Sequence, residues 1–362
     1  MIEIRLAKHF EEKEKLLNLF QASFGFSISM EHWDWKHLQN PLASSDPEVI
    51  VAVDGGKIVG TRPFLPAEMW LGNKKIKAAQ HCDTMVHPDY QGKGIFNRMG
   101  QFAVKYLKDN DYALSYGFPG LMSRPGFLKQ GYRIVAETEN MFRVVHSQKL
   151  LSYKLGNKPL AGGLGFSYDI LLSSQTKKPT RLSDSFQVEV FDRFTDDLKD
   201  VDDLRDKSGI NLVRSEKYLR WRFDKHPDHN YRYVVAKRDG KLWGYAVVSM
   251  QQQPNGLGNG LIVDYLVKNK DLACFRVLID RCLNELGKSE ADILLAWVFS
   301  EPQLRRELLT HFGLKSSVKF PYNKMFGYAY LEAMLIDETL AEGVDIYDRN
   351  NWRVTHAYAD TT

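Results

Sequence analysis

Cysteine is scarce: Cys82, Cys274 and Cys282 are the only three in 362 residues, and no two stand in C-x-x-C spacing. A disulfide framework and a cysteine-built zinc site are therefore not expected, and a reducing, cytoplasmic setting is. Long apolar runs are missing too. No stretch approaches the roughly twenty residues of a bilayer-spanning helix, and Met1-Ile2-Glu3-Ile4-Arg5 alternates like a short strand, so neither membrane insertion nor secretion is expected. Charge of one sign is not in excess, with 49 Lys and Arg against 45 Asp and Glu, a net +4. That balance argues for no nucleic-acid partner but suits a polyanionic small ligand. What is present, 44% hydrophobic and 26% charged residues over 362 positions, describes a soluble globular chain long enough for two domains.

The most informative segment is Val86-His87-Pro88-Asp89-Tyr90-Gln91-Gly92-Lys93-Gly94-Ile95-Phe96. It fits neither G-x-x-x-x-G-K-[ST] nor G-x-G-x-x-G, so nucleotide hydrolysis and dinucleotide binding are poor readings. Gly92 and Gly94 let the backbone take positive φ and approach a ligand closely. A helix expected from Ile95, with Phe102, Ala103, Tyr106 and Leu107 on one stripe, would leave its first N–H groups free for an anion. The helix dipole adds about half a positive charge there, enough to suit a diphosphate without a metal.

With Gln91 and Gly94 in place, the segment resembles the acetyl-CoA loop of the GNAT acetyltransferase superfamily, Q/R-x-x-G-x-G/A; Phe96 departs from the small residue usual at the last position. A second phrase, Gly126-Phe127-Leu128-Lys129-Gln130-Gly131-Tyr132, is similar to that family's Leu-Tyr-x-Lys-x-Gly-Phe. The resemblance implies an α/β (α+β) fold, a mixed, mostly antiparallel sheet flanked by helices. It also implies that acetyl-CoA is held by Gln91, Gly92, Lys93, Gly94, Ile95 and Phe96 and by the main chain of Met85 and Val86. The run Tyr112-Ala113-Leu114-Ser115-Tyr116 would be the strand that parts from its neighbour to admit the pantetheine arm.

An internal repeat runs through the chain. Trp35-Lys36 with Pro41 answers Trp221-Arg222 with Pro227, and the turn at Asp54-Gly55 answers Asp239-Gly240. Cys82-Asp83-Thr84-Met85-Val86 answers Val263-Asp264-Tyr265-Leu266-Val267, and Lys129-Gln130-Gly131-Tyr132 answers His311-Phe312-Gly313-Leu314. Four matches in order argue for duplication. After Val267 the sequence Lys268-Asn269-Lys270-Asp271 has no glycine, so the second copy has lost the cradle. The expected organisation is a cofactor-binding GNAT domain at 1–146, a linker at 147–190 with a helix on the domain seam over 160–172, a degenerate GNAT-like domain at 191–328, and a tail at 329–362 packed on the body. Leu331, Met334 and Leu335 give that tail helical spacing. Trp33, Trp35 and Trp221 read as core packing before substrate stacking.

Acetyl transfer to an amine needs a base for the amine and an acid for the departing thiolate. The tyrosine that commonly serves as acid in this family aligns with Phe127, which has no proton to give. Tyr116 is the first replacement, then Ser123, with Tyr132 third. For the base, His81 and Asp83 alternate with Cys82 and should share one face of the strand, and Asp83 is the first candidate. The alternative for Asp83 is partnership with a nearby cation, a reading that Asp264 at the matching place in the second copy favours. The expected function is direct transfer of acetyl from acetyl-CoA to a primary amine of a small molecule, such as an amino sugar, an aminoglycoside-like compound or a polyamine. The alternatives are a Fem-type aminoacyltransferase using aminoacyl-tRNA and a non-catalytic acyl-CoA-binding protein. No metal is expected.

Overall fold

The computed structural model describes residues 1–44, 48–147, 149, 185–253, 255–289, 291–319, 329–340 and 343–360. The seam helix expected over 160–172 and most of the linker lie outside the described residues. The first stretch of chain supplies β1 (Glu3–Leu6), α1 (His9–Phe24), α2 (Met30–His37), β2 (Val49–Asp54), β3 (Lys57–Leu71), β4 (Lys74–His81), β5 (Met85–Val86), α3 (Ile95–Asp109), β6 (Leu114–Gly117), α4 (Arg124–Lys129), β7 (Arg133–Glu137) and β8 (Asn140–Val144). Then come β9 (Gln187–Phe191), β10 (Ile210–Leu212), α5 (Glu216–Leu219), β11 (Tyr231–Arg238), β12 (Lys241–Gln252), β13 (Gly258–Val267), α6 (Leu272–Lys288), β14 (Ile293–Trp297), α7 (Pro302–Thr310), β15 (Lys315–Ser316) and β16 (Tyr330–Leu335).

Two mixed, mostly antiparallel sheets result. One runs β1-β2-β3-β4-β6-β16-β7, with β5 and β10 also on β3; the other runs β15-β8-β14-β13-β12-β11-β9. Both repeats of the Asp-Gly turn make hairpins, closing Asp54 on Lys57 and Arg238 on Lys241. Each sheet borrows a strand: β8 joins the second sheet, and β16 inserts between β6 and β7 of the first. The helix expected from Leu331, Met334 and Leu335 is thus a strand. A strand hydrogen-bonded on both edges and covered on both faces loses polar alternation, and i, i+3, i+4 spacing over six residues does not separate it from a helix turn.

Trp35 and Trp221, the tryptophans of the sequence repeat, meet. Trp35 and Trp221 stack with centroids 5.3 Å apart, and each indole N–H donates to the other's backbone carbonyl, at 2.8 and 2.7 Å. Both are buried, as is Trp33, so packing is their role, with the Trp35 and Trp221 N–H groups satisfied by each other's carbonyl.

Candidate active site

The glycine turn has the expected shape. Gly92 and Gly94 sit at φ 76° and 74°, in the left-handed region, and a Cβ on either would meet nothing within 4 Å. The requirement for glycine here is conformational, with open space above the turn. Gly94 is the N-cap of α3 and no side chain among the described residues caps that helix, so the first-turn amides point at that space. Ile95 is buried beneath, offering its main chain alone. The Phe96 ring turns onto α4, where a Cβ on Gly126 would lie 2.3 Å from it; the large side chain fits because its neighbour is glycine. Lys93 Nζ stands 4.4 Å over the Tyr90 ring, and Gln91 Nε2 donates to the Val86 carbonyl at 3.4 Å.

The turn after β13 repeats this backbone and closes it. Asn269 and Lys270 hold φ of 52° and 55° without glycine, but the following helix, α6, is capped by Asp271, whose carboxylate accepts from Ala273 and Cys274 N–H at 2.9 and 3.1 Å. A protein carboxylate sits where an anionic ligand would bind.

The sheets also part differently. β4 pairs in parallel with β6 through Ala78–Leu114, Ala79–Ser115 and Gln80–Tyr116 and no further. Beyond that point β5 pairs with β3 alone among the described residues, so the strand carrying Met85 and Val86 has parted from β6. In the second sheet the parallel pairing of β13 and β14 stops at Ile262–Ala296, and there the chain's own tail enters. Thr355 Oγ1 donates to Asp264 at 2.7 Å, His356 stacks on Trp297 at 4.3 Å, and Ser300 Oγ donates to the Trp352 carbonyl.

The tail then runs on to the first sheet, where Tyr218 OH donates to the Ala357 carbonyl at 3.2 Å and Arg222 Nη2 to the Ala359 carbonyl at 2.9 Å. It delivers Asp360 to Lys36: the ammonium donates to Asp360 at 2.7 Å and to Asp83 at 2.6 Å, while Gln80 Nε2 donates to Asp360 at 3.3 Å. Burial alone would pull the Lys36 ammonium down, but Asp360 and Asp83 hold it well above its ordinary value. Cys82 Sγ, Asp83 and Asp360 present ligand-type atoms within 4.8 Å of one another, yet the lysine already bonds both carboxylates. Tyr116 lines a cavity of about 20 Å³ with Lys36, Gln80, Trp35, Trp221 and Asp360, room for roughly one water. Burial, then Tyr218, Tyr358 and Asp360, push its phenol well above the usual range, so it remains a hydroxyl.

The site therefore gathers Asp83 and Tyr116 around Lys36 and Asp360 but leaves Ser123 apart, on the first turn before α4 with its hydroxyl donating to the Gly120 carbonyl at 3.2 Å. One expectation is corrected. His81 and Asp83 do not share a face, because β4 ends at His81 and Asp83 turns to φ 38°; Asp83 reaches α2, whereas His81 packs on Phe127 of α4. Lys36, Gln80 and Asp360 went unread in the sequence. The one available signal was the basic residue kept after tryptophan in both copies, Lys36 and Arg222.

A family profile for the acetyltransferase (GNAT) domain matches residues 3–135. No curated protein matches the chain significantly in sequence. Among solved structures, the chain is similar to a GCN5-related N-acetyltransferase from Anabaena variabilis ATCC 29413, at TM-score 0.63 and 13% identity over 93% of this chain and 73% of that one. It is likewise similar to a probable N-acyltransferase from Enterococcus faecalis V583, at TM-score 0.63 and 13% identity with coverage of 93% and 73%. Saccharomyces cerevisiae N-myristoyltransferase with bound myristoyl-CoA aligns at TM-score 0.58 and 11% identity over 92% of this chain and 82% of that one. At such identities the likeness is one of fold. Residues 3–135 thus match the acetyltransferase (GNAT) domain profile, and the two-sheet chain that carries them shares the fold of these solved structures.

Proposed function

We propose that this chain is an N-acyltransferase that moves acetyl directly from acetyl-CoA to a primary amine of a small molecule, with an amino sugar, an aminoglycoside-like compound or a polyamine as the acceptor class. The observation that carries the reading is the contrast between the two helix starts: α3 opens behind two left-handed glycines with no side-chain cap among the described residues, and α6 is closed by its own Asp271. In this proposal the main chain of Gln91, Gly92, Lys93, Gly94, Ile95 and Phe96 holds the diphosphate, and Met85 and Val86 hold the pantetheine and thioester carbonyl. The polar cluster of Lys36, Asp83 and Asp360 faces the amine, with Asp83 as base through water and the Tyr116 hydroxyl beside it; Ser123 is the weaker hydroxyl. The division into a cofactor-binding domain at 1–146 and a degenerate domain at 191–328 that encloses the acceptor belongs to the same reading, as does a cytoplasmic setting. No described helix is long and apolar enough to cross a membrane.

The test is thiol release from acetyl-CoA with a pooled primary-amine library, with myristoyl-CoA as the comparison donor. Turnover with acetyl-CoA and at least one amine is expected. Phe127 in place of a tyrosine favours a second reading, a non-catalytic acyl-CoA-binding module, and tight acetyl-CoA binding with no turnover of any amine would establish it instead. A salt-dependent shift of transfer RNA on a gel would turn the assignment to a Fem-type aminoacyltransferase.

A further inference from the structure

Beneath α4, one row of three residues crosses the first sheet, and two of them are buried polar side chains without a hydrogen-bond partner among the described residues. Gly117 on β6 pairs with Glu332 on β16. On its other side, His81 follows directly on the last β4–β6 pair, Gln80–Tyr116, and so stands level with Gly117. Paired residues on neighbouring strands point to the same face. Met334, two residues beyond Glu332, packs in the cluster under α3 and α4, as does the Phe127 ring that stacks on His81 at 4.1 Å. The face is therefore common to both. Gly117 leaves it bare, and the imidazole leans across: a Cβ on Gly117 would lie 2.4 Å from His81 Nε2. Since strands lie about 4.8 Å apart, an imidazole overhanging the middle strand is within side-chain reach of the carboxyl on the third.

Both groups are orphans. His81 is 4% exposed and neither ring nitrogen has a partner among the described residues; Glu332 is fully buried and neither oxygen has one there either. Such groups are costly to bury, and native structures keep few of them without a reason. The charges facing them come from three elements. On β3, Arg62 is fully buried, donates to Gln130 and Tyr132, and has no paired carboxylate among the described residues; its guanidinium lies 4.5 Å from the Phe127 centroid. On α4, Arg124 acts on Glu332, while β7 presents Ile134. Burial, with Arg62 adding to it, drives the imidazole well below its ordinary range, so it is neutral; burial pushes Glu332 up to about 7 against the pull of Arg124. A neutral imidazole within side-chain reach of a carboxyl that still holds its proton near neutrality can pass that proton along.

We propose that Glu332 and His81 form a proton relay that opens where the chain after β4 parts from β6 and serves the sulfur leaving the acyl group, in place of the hydroxyl missing at Phe127. The inference rests on the acyl-CoA reading above. As the amine nitrogen bonds the acyl carbon and the carbon–sulfur bond breaks, the ring nitrogen facing Glu332 takes the carboxyl proton while the other gives its own to the sulfur. Thiolate becomes thiol, Glu332 becomes carboxylate, and the imidazole stays neutral as its other tautomer. Arg124 stabilises the new carboxylate. The proton lost by the amine leaves on the Asp83 side, and Glu332 regains one from solvent, so the cycle is neutral. His81 is the group at the sulfur; Glu332 acts through it.

The test uses the full chain with CoA and acetyl-CoA, comparing wild type with Glu332→Gln and His81→Gln. Calorimetry with CoA reports folding and cofactor binding together. Ultraviolet thiolate absorbance of bound CoA against pH reads the proton donor at the sulfur independently of turnover. Retained CoA binding is expected in both variants, with ionisation of the bound thiol altered in His81→Gln. In Glu332→Gln, kcat should fall by about a hundred-fold with KM for acetyl-CoA unchanged, and the limb of the pH profile near 7 should vanish. CoA binding with wild-type thiol ionisation in His81→Gln and a wild-type pH profile in Glu332→Gln overturns the relay alone. Failure of the wild type to bind CoA removes the cofactor reading and the relay with it.

Discussion

Asp264→Asn is the substitution whose cost follows most directly from the geometry. The Asp264 carboxylate accepts from Arg214 Nε and Nη2, both at 2.8 Å, from Thr355 Oγ1 at 2.7 Å and from the Tyr245 hydroxyl. Both charged side chains are fully buried. Burial pushes the Asp264 carboxyl up, and Arg214 more than offsets it, so the group sits below its ordinary value. Asparagine preserves the shape and removes the charge, leaving a buried guanidinium with no counter-ion at a cost of about 3–5 kcal/mol. Arg214→Met alone strands the carboxylate and should cost a similar amount. The double variant removes both charges, so the pair should couple by at least about 2 kcal/mol. Urea denaturation of the four proteins near neutral pH gives the cycle. A depressed carboxyl contributes stability that is present above the unfolded-state value and lost as pH falls through the folded one, so Asp264→Asn must also flatten the acid limb of stability. A single-variant cost under about 1 kcal/mol, or an additive double variant, would refute the reasoning.

Other outcomes follow from the same geometry. Gly117→Ala forces a methyl against the His81 imidazole and should destabilise the chain by about 1–3 kcal/mol by overpacking, measured by thermal melting against Gly120→Ala, which meets nothing within 4 Å. Glu332, raised from 4.5 to about 7, binds its proton more tightly folded than unfolded. Its contribution is present below the unfolded value and lost as pH rises to about 7, a decline of about 3 kcal/mol; Glu332→Gln should remove that decline from a plot of stability against pH. Asp360→Asn takes one of two carboxylates from buried Lys36, costs about 1–2 kcal/mol, and should speed proteolysis of the tail beyond Ala357.

How much of this could be read from residues alone depends on range. The cradle is local, and its glycines, the helix behind it and the Asp-Gly hairpins stood out because each signal lies within a few positions. The repeat located Asp264 opposite Asp83, and both turn out to hold a cation, Arg214 and Lys36. Asp83's loss of register was hidden because alternation assumes that the strand continues, and β4 stops two residues short of it. Least legible were the features made by distant pairings. Asp360 reaches Lys36 across 324 positions, and Glu332 meets Gly117 only because β16 returns to the first sheet. No periodicity within Tyr330–Leu335 states which strand it will join, or that its one carboxyl will be buried beside a glycine.

The central claim is that the main chain between Gln91 and Phe96 receives the diphosphate of the acyl donor. Isothermal calorimetry with acetyl-CoA should therefore show binding by the wild type, loss of detectable binding by Gly94→Trp, and unchanged binding by Asn269→Trp in the corresponding turn after β13. Equal affinity of wild type and Gly94→Trp, or loss confined to Asn269→Trp, would contradict it.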